Sequence, residues 1–148
     1  MVPEQRLTTH TIEFPYTRTL GPVLGPFLTG LRNATILGAR TGSGRVLVPP
    51  LEWDPATGEP IEPDLVEVGP GGVVETWAWV TRPGRKHPLD HPFAFALVRL
   101  DGADTGLLHA VDAGSIDRMR TGMRVVARWK DERAGHITDL VFVPEKST

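Results

Sequence analysis

Apolar and polar positions follow two different rhythms along this chain. In the N-terminal half, from Pro22, the apolar residues Val23, Leu24, Phe27, Leu28 and Leu31 recur at spacings of one, three and four, as on a helix with one buried face. Pro22 suits a first helical turn, where a missing N–H costs nothing, but Gly25, Pro26 and Gly30 weaken the segment. The expected helix is therefore short and begins properly near Pro26. The residues before it alternate with neither period and hold an aromatic knot at Phe14, Pro15 and Tyr16, so they read as an arm. Two short apolar runs, 36–39 and 45–48, flank Thr41-Gly42-Ser43-Gly44 and predict a hairpin ended by Pro49-Pro50. Residues 51–70 are rich in Pro, Gly and Glu and predict an ordered connector, too punctuated for a helix.

From Val73 onward the pattern changes to successive strands, expected at 73–81, 93–101, 105–111, 123–130 and 136–143. Turn compositions separate them: Arg82-Pro83-Gly84, Asp101-Gly102, Arg120-Thr121-Gly122 and Ala134-Gly135. Ser115 is placed to cap a brief helical turn over 116–119, between the third and fourth strands. Five strands with a helical element after the third suit a small Greek-key barrel of OB type, so the expected class is mainly β.

Composition narrows the chemistry. The 148 residues include no cysteine, which excludes a disulfide, a thiolate zinc site and a thiol nucleophile. No run approaches the length of a membrane helix, and the N-terminus lacks the basic and apolar regions of a signal peptide, so a cytoplasmic protein with no membrane partner is expected. The net charge of -2 conceals an acidic stretch, Glu52 to Glu75, without a single Lys or Arg. Basic residues gather later, among them Arg82, Arg85 and Lys86. Neither the balance nor the pattern implies a nucleic-acid partner.

Order and motifs together resemble the acyl-CoA-associated OB-fold family, also known as domain of unknown function 35 (DUF35). The resemblance runs from Phe14 to Val143. It is carried by Phe27-Leu28-Thr29-Gly30-Leu31, Gly44, Pro49-Pro50, Phe95-Ala96-Leu97-Val98-Arg99-Leu100-Asp101 and Thr121-Gly122-Met123-Arg124-Val125. It implies an N-terminal arm and helix (1–35), a rubredoxin-like ribbon (36–70) and an OB barrel (71–148). The family's ribbon reads Cys-x-x-Cys-Gly, four residues, Pro-Pro, three residues, Cys-Pro-x-Cys-Gly. In this chain the four thiolate positions hold Arg40, Ser43, Asp54 and Thr57, while Gly44, Pro49, Pro50, Pro55 and Gly58 remain. A guanidinium offers no lone pair to zinc, so a degenerate, metal-free ribbon and no cofactor are expected. Two readings of the substitutes stand side by side: an Arg40–Asp54 ion pair replacing the metal with help from Ser43 and Thr57, or ordinary exposed loop residues.

Phe14-Pro15-Tyr16-Thr17-Arg18, Glu52-Trp53-Asp54-Pro55 and Leu107-Leu108-His109-Ala110-Val111-Asp112 bring the chain closer to one metal-free branch of that family. The branch is similar to the small partner of a thiolase-like aldolase of steroid side-chain degradation. That resemblance implies a non-catalytic subunit of a heterotetramer, with acyl-CoA held mainly by the larger partner. The partner would carry out the retro-aldol cleavage of a steroid side-chain CoA thioester to a 17-keto steroid and propionyl-CoA. The same domain also occurs fused behind a hydratase in this branch. Phe14, Tyr16, Trp53 and His109 become candidate partner contacts.

Chemistry of the chain's own is sparse. His87 and His91 lie four apart, but Pro88 and Pro92 rule out a helix across them, leaving with Asp90 only a loop-borne metal reading. His109 and Asp112 could form an acid–base pair only with a third group, against a structural or partner-contacting His109. Arg82, Arg85 and Lys86 put three positive charges within five residues, either a site for a CoA phosphate or a solvated loop. Trp77 and Trp79 share one strand face, as do Phe93 and Phe95, either as core or as a stacking platform for bases. The alternative function is thus an independent OB module binding acyl-CoA or single-stranded nucleic acid.

Overall fold

A computed structural model describes residues 7–146. Its first element is helix α1, Gly21–Arg32, whose residues Val23, Phe27, Gly30 and Leu31 are buried on one face. The helix starts five residues before the Pro26 expected as its beginning, and Pro26 lies inside it. The amide that Pro26 lacks would have bonded to Pro22, in the first turn, so only one hydrogen bond is forfeited. Burial of Phe27 and Leu31, 1% and 0% exposed, outweighs it. The far end is held by the barrel: Arg133 donates from Nε to the Arg32 carbonyl at 2.9 Å.

Strands β1, Ile36–Arg40, and β2, Val46–Leu47, form the expected hairpin, with Ala39 opposite Leu47. Gly44 sits at φ 88° in the turn, a conformation open to glycine. Inside the expected connector the chain makes a further strand, β3, Leu65–Val68, which pairs antiparallel with β1. Pro63, Gly69 and Pro70 crowd this run so closely that its alternation is too short to stand out. The resulting order is β2-β1-β3.

The remaining strands close into a barrel: β4, Gly71–Val80; β5, Phe93–Leu100; β6, Gly106–Val111; β7, Arg124–Trp129; and β8, Leu140–Pro144. Their order is β4-β5-β6-β8-β7, with β7 returning to β4 and β6 parallel to β8 through the single pair Val111 and Phe142. The short 3-10 turn Ile116–Arg118 follows β6, although Ser115 makes no side-chain cap bond there. The last strand begins four residues later than expected, because a second 3-10 turn, Ile137–Asp139, intervenes. The Asp139 carboxylate organises that turn by accepting from the amides of Ala134, Gly135 and His136 at 3.3, 2.7 and 2.9 Å.

One core runs through helix, ribbon and barrel. Phe27, Leu31, Ile36, Val46, Val48 and Val68 pack in the same cluster as Val74, Ala96, Val98, Leu107, Val125 and Phe142. Polar tethers fix the same junction. The Asp104 carboxylate accepts from Val46 N at 2.8 Å, and Thr105 Oγ1 accepts from Val48 N at 2.8 Å. The β5–β6 turn thereby satisfies β2 backbone groups that the hairpin leaves open.

Candidate functional site

The arm, residues 7–20, has neither helix nor strand, and Ile12, Phe14 and Tyr16 are 76%, 80% and 82% exposed. Glu13 meets Lys86 of the barrel at 3.4 Å. The root of the arm, Arg18 to Gly21, and the segment Pro49 to Glu52 line a cleft of about 580 Å³. Just beyond it, Trp53 is 58% exposed and bridges to Pro60. Three of the four candidate contacts, Phe14, Tyr16 and Trp53, are therefore on the surface.

His109 is not. It is 7% exposed and points into the barrel, where its Nε2 donates to the Leu140 carbonyl at 2.8 Å and its ring meets Phe142 edge-on at 5.7 Å. Burial, the dominant effect, lowers its pKa against the opposing pull of the Leu140 carbonyl, so the ring is neutral near pH 7. That location corrects the partner-contact assignment of His109. The pairing with Asp112 also falls away, because Asp112, three residues on and just past the end of β6, faces other surroundings and is engaged by His91 and Arg128.

At the four positions that the resemblance aligns with thiolate ligands, each side chain engages a nearby group of the chain. Arg40 Nε lies 3.6 Å from Asp64, its neighbour across to β3, and Ser43 shares a 2.9 Å hydrogen bond with Thr41. Asp54 is buried and accepts from Ala56 N at 2.8 Å; Thr57 Oγ1 accepts from Glu59 N at 3.3 Å. Of the two readings, the Arg40–Asp54 ion pair does not form: the Asp54 carboxylate serves its own turn, while the β1–β3 ladder brings Asp64 to Arg40. A guanidinium, two hydroxyls and one carboxylate committed to an amide do not fit tetrahedral zinc. Among the described residues no three His, Asp or Glu side chains gather as for a metal ion.

The β4–β5 loop carries the basic triplet. Lys86 is engaged by Glu13, whereas Arg82 and Arg85 have no carboxylate within 4 Å among the described residues. Beneath them the loop is built onto the outside of the barrel. His87 Nδ1 accepts from Gly84 N at 2.6 Å, and its ring lies edge-on to Phe93 and Phe95 at 5.8 and 6.0 Å. Leu89 packs over Phe93, Ala110 and Val141. His91 turns the other way, Nε2 facing Asp112 at 3.0 Å and Nδ1 facing Asp90 at 3.1 Å. Asp112 also takes Arg128 at 2.7 Å. The two histidines thus face different partners and do not converge on a metal position. Hydrogen bonding to Asp112 and then to Asp90 raises the His91 pKa. Burial opposes ionisation of Asp112, but Arg128 and His91 outweigh it and hold that carboxyl low.

Residue reasoning missed this His91–Asp112–Arg128 cluster, although the β4–β5 loop and the end of β6 meet at one end of any OB barrel. Trp77 and Trp79 pack against the core, and Phe93 is completely buried beneath the loop. Neither pair presents an open platform for bases.

Closed five-strand order, the parallel β6–β8 contact and the helical turn after the third barrel strand define an OB-fold protein. Residues 65–130 match the family described as the ChsH2 C-terminal OB-fold domain. Among solved structures it is similar to a chain of the "Ltp2-ChsH2(DUF35) aldolase", with 22% identity and a TM-score of 0.67 over 86% of this chain and 98% of that one. It is also similar to a DUF35 protein of unknown function from Sulfolobus solfataricus, with 20% identity and a TM-score of 0.64 over 84% and 87% of the two chains. No curated protein matches the sequence. No helix among the described residues is long and apolar enough to cross a membrane.

Proposed function

We propose that this chain is the small, non-catalytic subunit of a thiolase-like aldolase that cleaves a steroid side-chain CoA thioester by a retro-aldol reaction, giving a 17-keto steroid and propionyl-CoA. The observation that carries the reading is the apolar surface of the arm and ribbon. Ile12, Phe14, Tyr16 and Trp53 are large side chains left more than half exposed beside a well-packed core, the pattern of a surface that is covered in an assembly. The likeness to a chain of an aldolase complex supports the same assignment. The larger partner would supply the catalytic groups and hold most of the acyl-CoA, in a heterotetramer. Arg82 and Arg85, with Lys86 beside them, would meet the CoA phosphates where the partner's tunnel opens.

The test is co-expression with a thiolase-like protein encoded beside this chain, size-exclusion chromatography, and assay of 17-keto steroid release. Phe14→Ala with Tyr16→Ala, or Trp53→Ala, should weaken the complex about tenfold or more while leaving the melting temperature of the isolated chain unchanged. Arg85→Glu with Lys86→Glu should raise the KM for the acyl-CoA without dissociating the complex. A chain that stays alone and binds acyl-CoA by itself would replace this reading with an independent binding module.

A further inference from the structure

The β4–β5 loop is anchored at two points by unlike forces. At its centre the anchor is apolar: Leu89 over Phe93, Ala110 and Val141. At its C-terminal root it is ionic: His91 stands between the carboxylates of Asp90 and Asp112, and Asp112 is fixed by Arg128 on β7. A carboxylate only accepts hydrogen bonds, so an imidazole with one on each nitrogen satisfies both only when both nitrogens carry protons. A neutral ring would turn a lone pair toward one of them. Asp112 is the firmer partner, its side chain 13% exposed, whereas that of Asp90 is fully in solvent. The charged groups facing His91 are thus Asp90 from its own loop, Asp112 from the end of β6 and Arg128, through Asp112, from β7.

We infer that His91 is a protonation-set latch that clasps the β4–β5 loop, and the basic triplet it carries, to the barrel at Asp112 and lets the loop loosen when the ring loses its charge. The latch is independent of what the loop binds. Its raised pKa places the change on the alkaline side of an ordinary histidine: the clasp is complete below about 6.5 and is lost as pH rises through the folded-state value. A His91 variant supplies the control for the clasp.

Two measurements on the intact chain test the latch. The first is an NMR titration of the His91 ring, expected to give a midpoint above 6.5 that falls in Asp112→Asn. The second is amide-exchange protection across the loop, corrected for intrinsic base catalysis and read at His87 N, which donates to Gly84 O. Raising the pH through the His91 midpoint should lower protection about two- to fivefold, the size an exposed ion pair supports. His91→Gln, at an exposed position that tolerates substitution, should show the lower protection throughout and no such step. A midpoint at or below 6.5, protection that does not change with pH, or the same fall in His91→Gln would each overturn the latch.

Discussion

Replacing His109 with alanine should destabilise the barrel at its weakest seam. Strands β6 and β8 share one residue pair, Val111 and Phe142, and that contact closes the barrel on this side. In the β7–β8 ladder, Lys130 N bonds to Asp139 O, so alternate pairing turns the backbone groups of Leu140 and Phe142 away from β7 and toward β6. Phe142 O receives Asp112 N at 2.8 Å, while Leu140 O receives the His109 side chain. Without His109 a buried carbonyl loses its donor, at a cost of about 1–3 kcal/mol. Losing the edge-on contact with Phe142 adds roughly 0.5–1.5 kcal/mol. Urea unfolding at pH 7.5 should therefore show a loss of about 1.5–4.5 kcal/mol. The pH dependence carries a second signature. Because the folded-state pKa of His109 is lowered, the unfolded chain takes up its proton first, and stability falls as pH drops below about 6.5. His109→Ala should remove that part of the acid slope. A loss below about 0.5 kcal/mol, within the range of surface substitutions, or an acid slope identical to that of the unaltered chain, would refute the seam argument.

The close packing of β1 on β2 predicts that Gly38→Ala is poorly tolerated. A Cβ there would stand 2.6 Å from Val46 Cγ1 and 3.1 Å from Leu47 O, so a loss of about 1–3 kcal/mol is expected in thermal unfolding. Asp139→Ala should cost about 1–3 kcal/mol at neutral pH, since the carboxylate serves three amides of the β7–β8 connection. Burial works to raise the Asp139 pKa, but those amide bonds hold it below 3.8; its contribution is present above that value and lost as pH falls through the folded-state pKa. Asp139→Ala should accordingly flatten the stability profile at the acid end.

The barrel was legible because its signals are local. Each strand carries its own apolar run and its own turn, and Asp101-Gly102 or Arg120-Thr121-Gly122 mark boundaries without reference to distant residues. The helix was legible in its buried face but not in its start, since propensity counts Pro26 against the segment while packing of Phe27 and Leu31 decides the outcome. Strand β3 escaped because its existence depends on β1, nearly thirty residues earlier, rather than on its own alternation. The same limit governed charge. Asp54 and Asp64 are equally plausible partners for Arg40 on paper, and only the β1–β3 register chooses between them. Of the surface candidates, Phe14, Tyr16 and Trp53 proved exposed; His109 did not, because strand parity and a missing backbone donor draw it inward.

The core shared by ribbon and barrel makes the two thermodynamically inseparable. Val46, Val48 and Val68 cannot leave the cluster without exposing Val74, Val98 and Leu100, so the chain should lose its structure in one cooperative transition. A companion protein that touches only the ribbon would then raise the melting point of the barrel as well, by mass action on a single folding equilibrium. Affinity for such a companion can therefore be read from the unfolding of a part it never contacts.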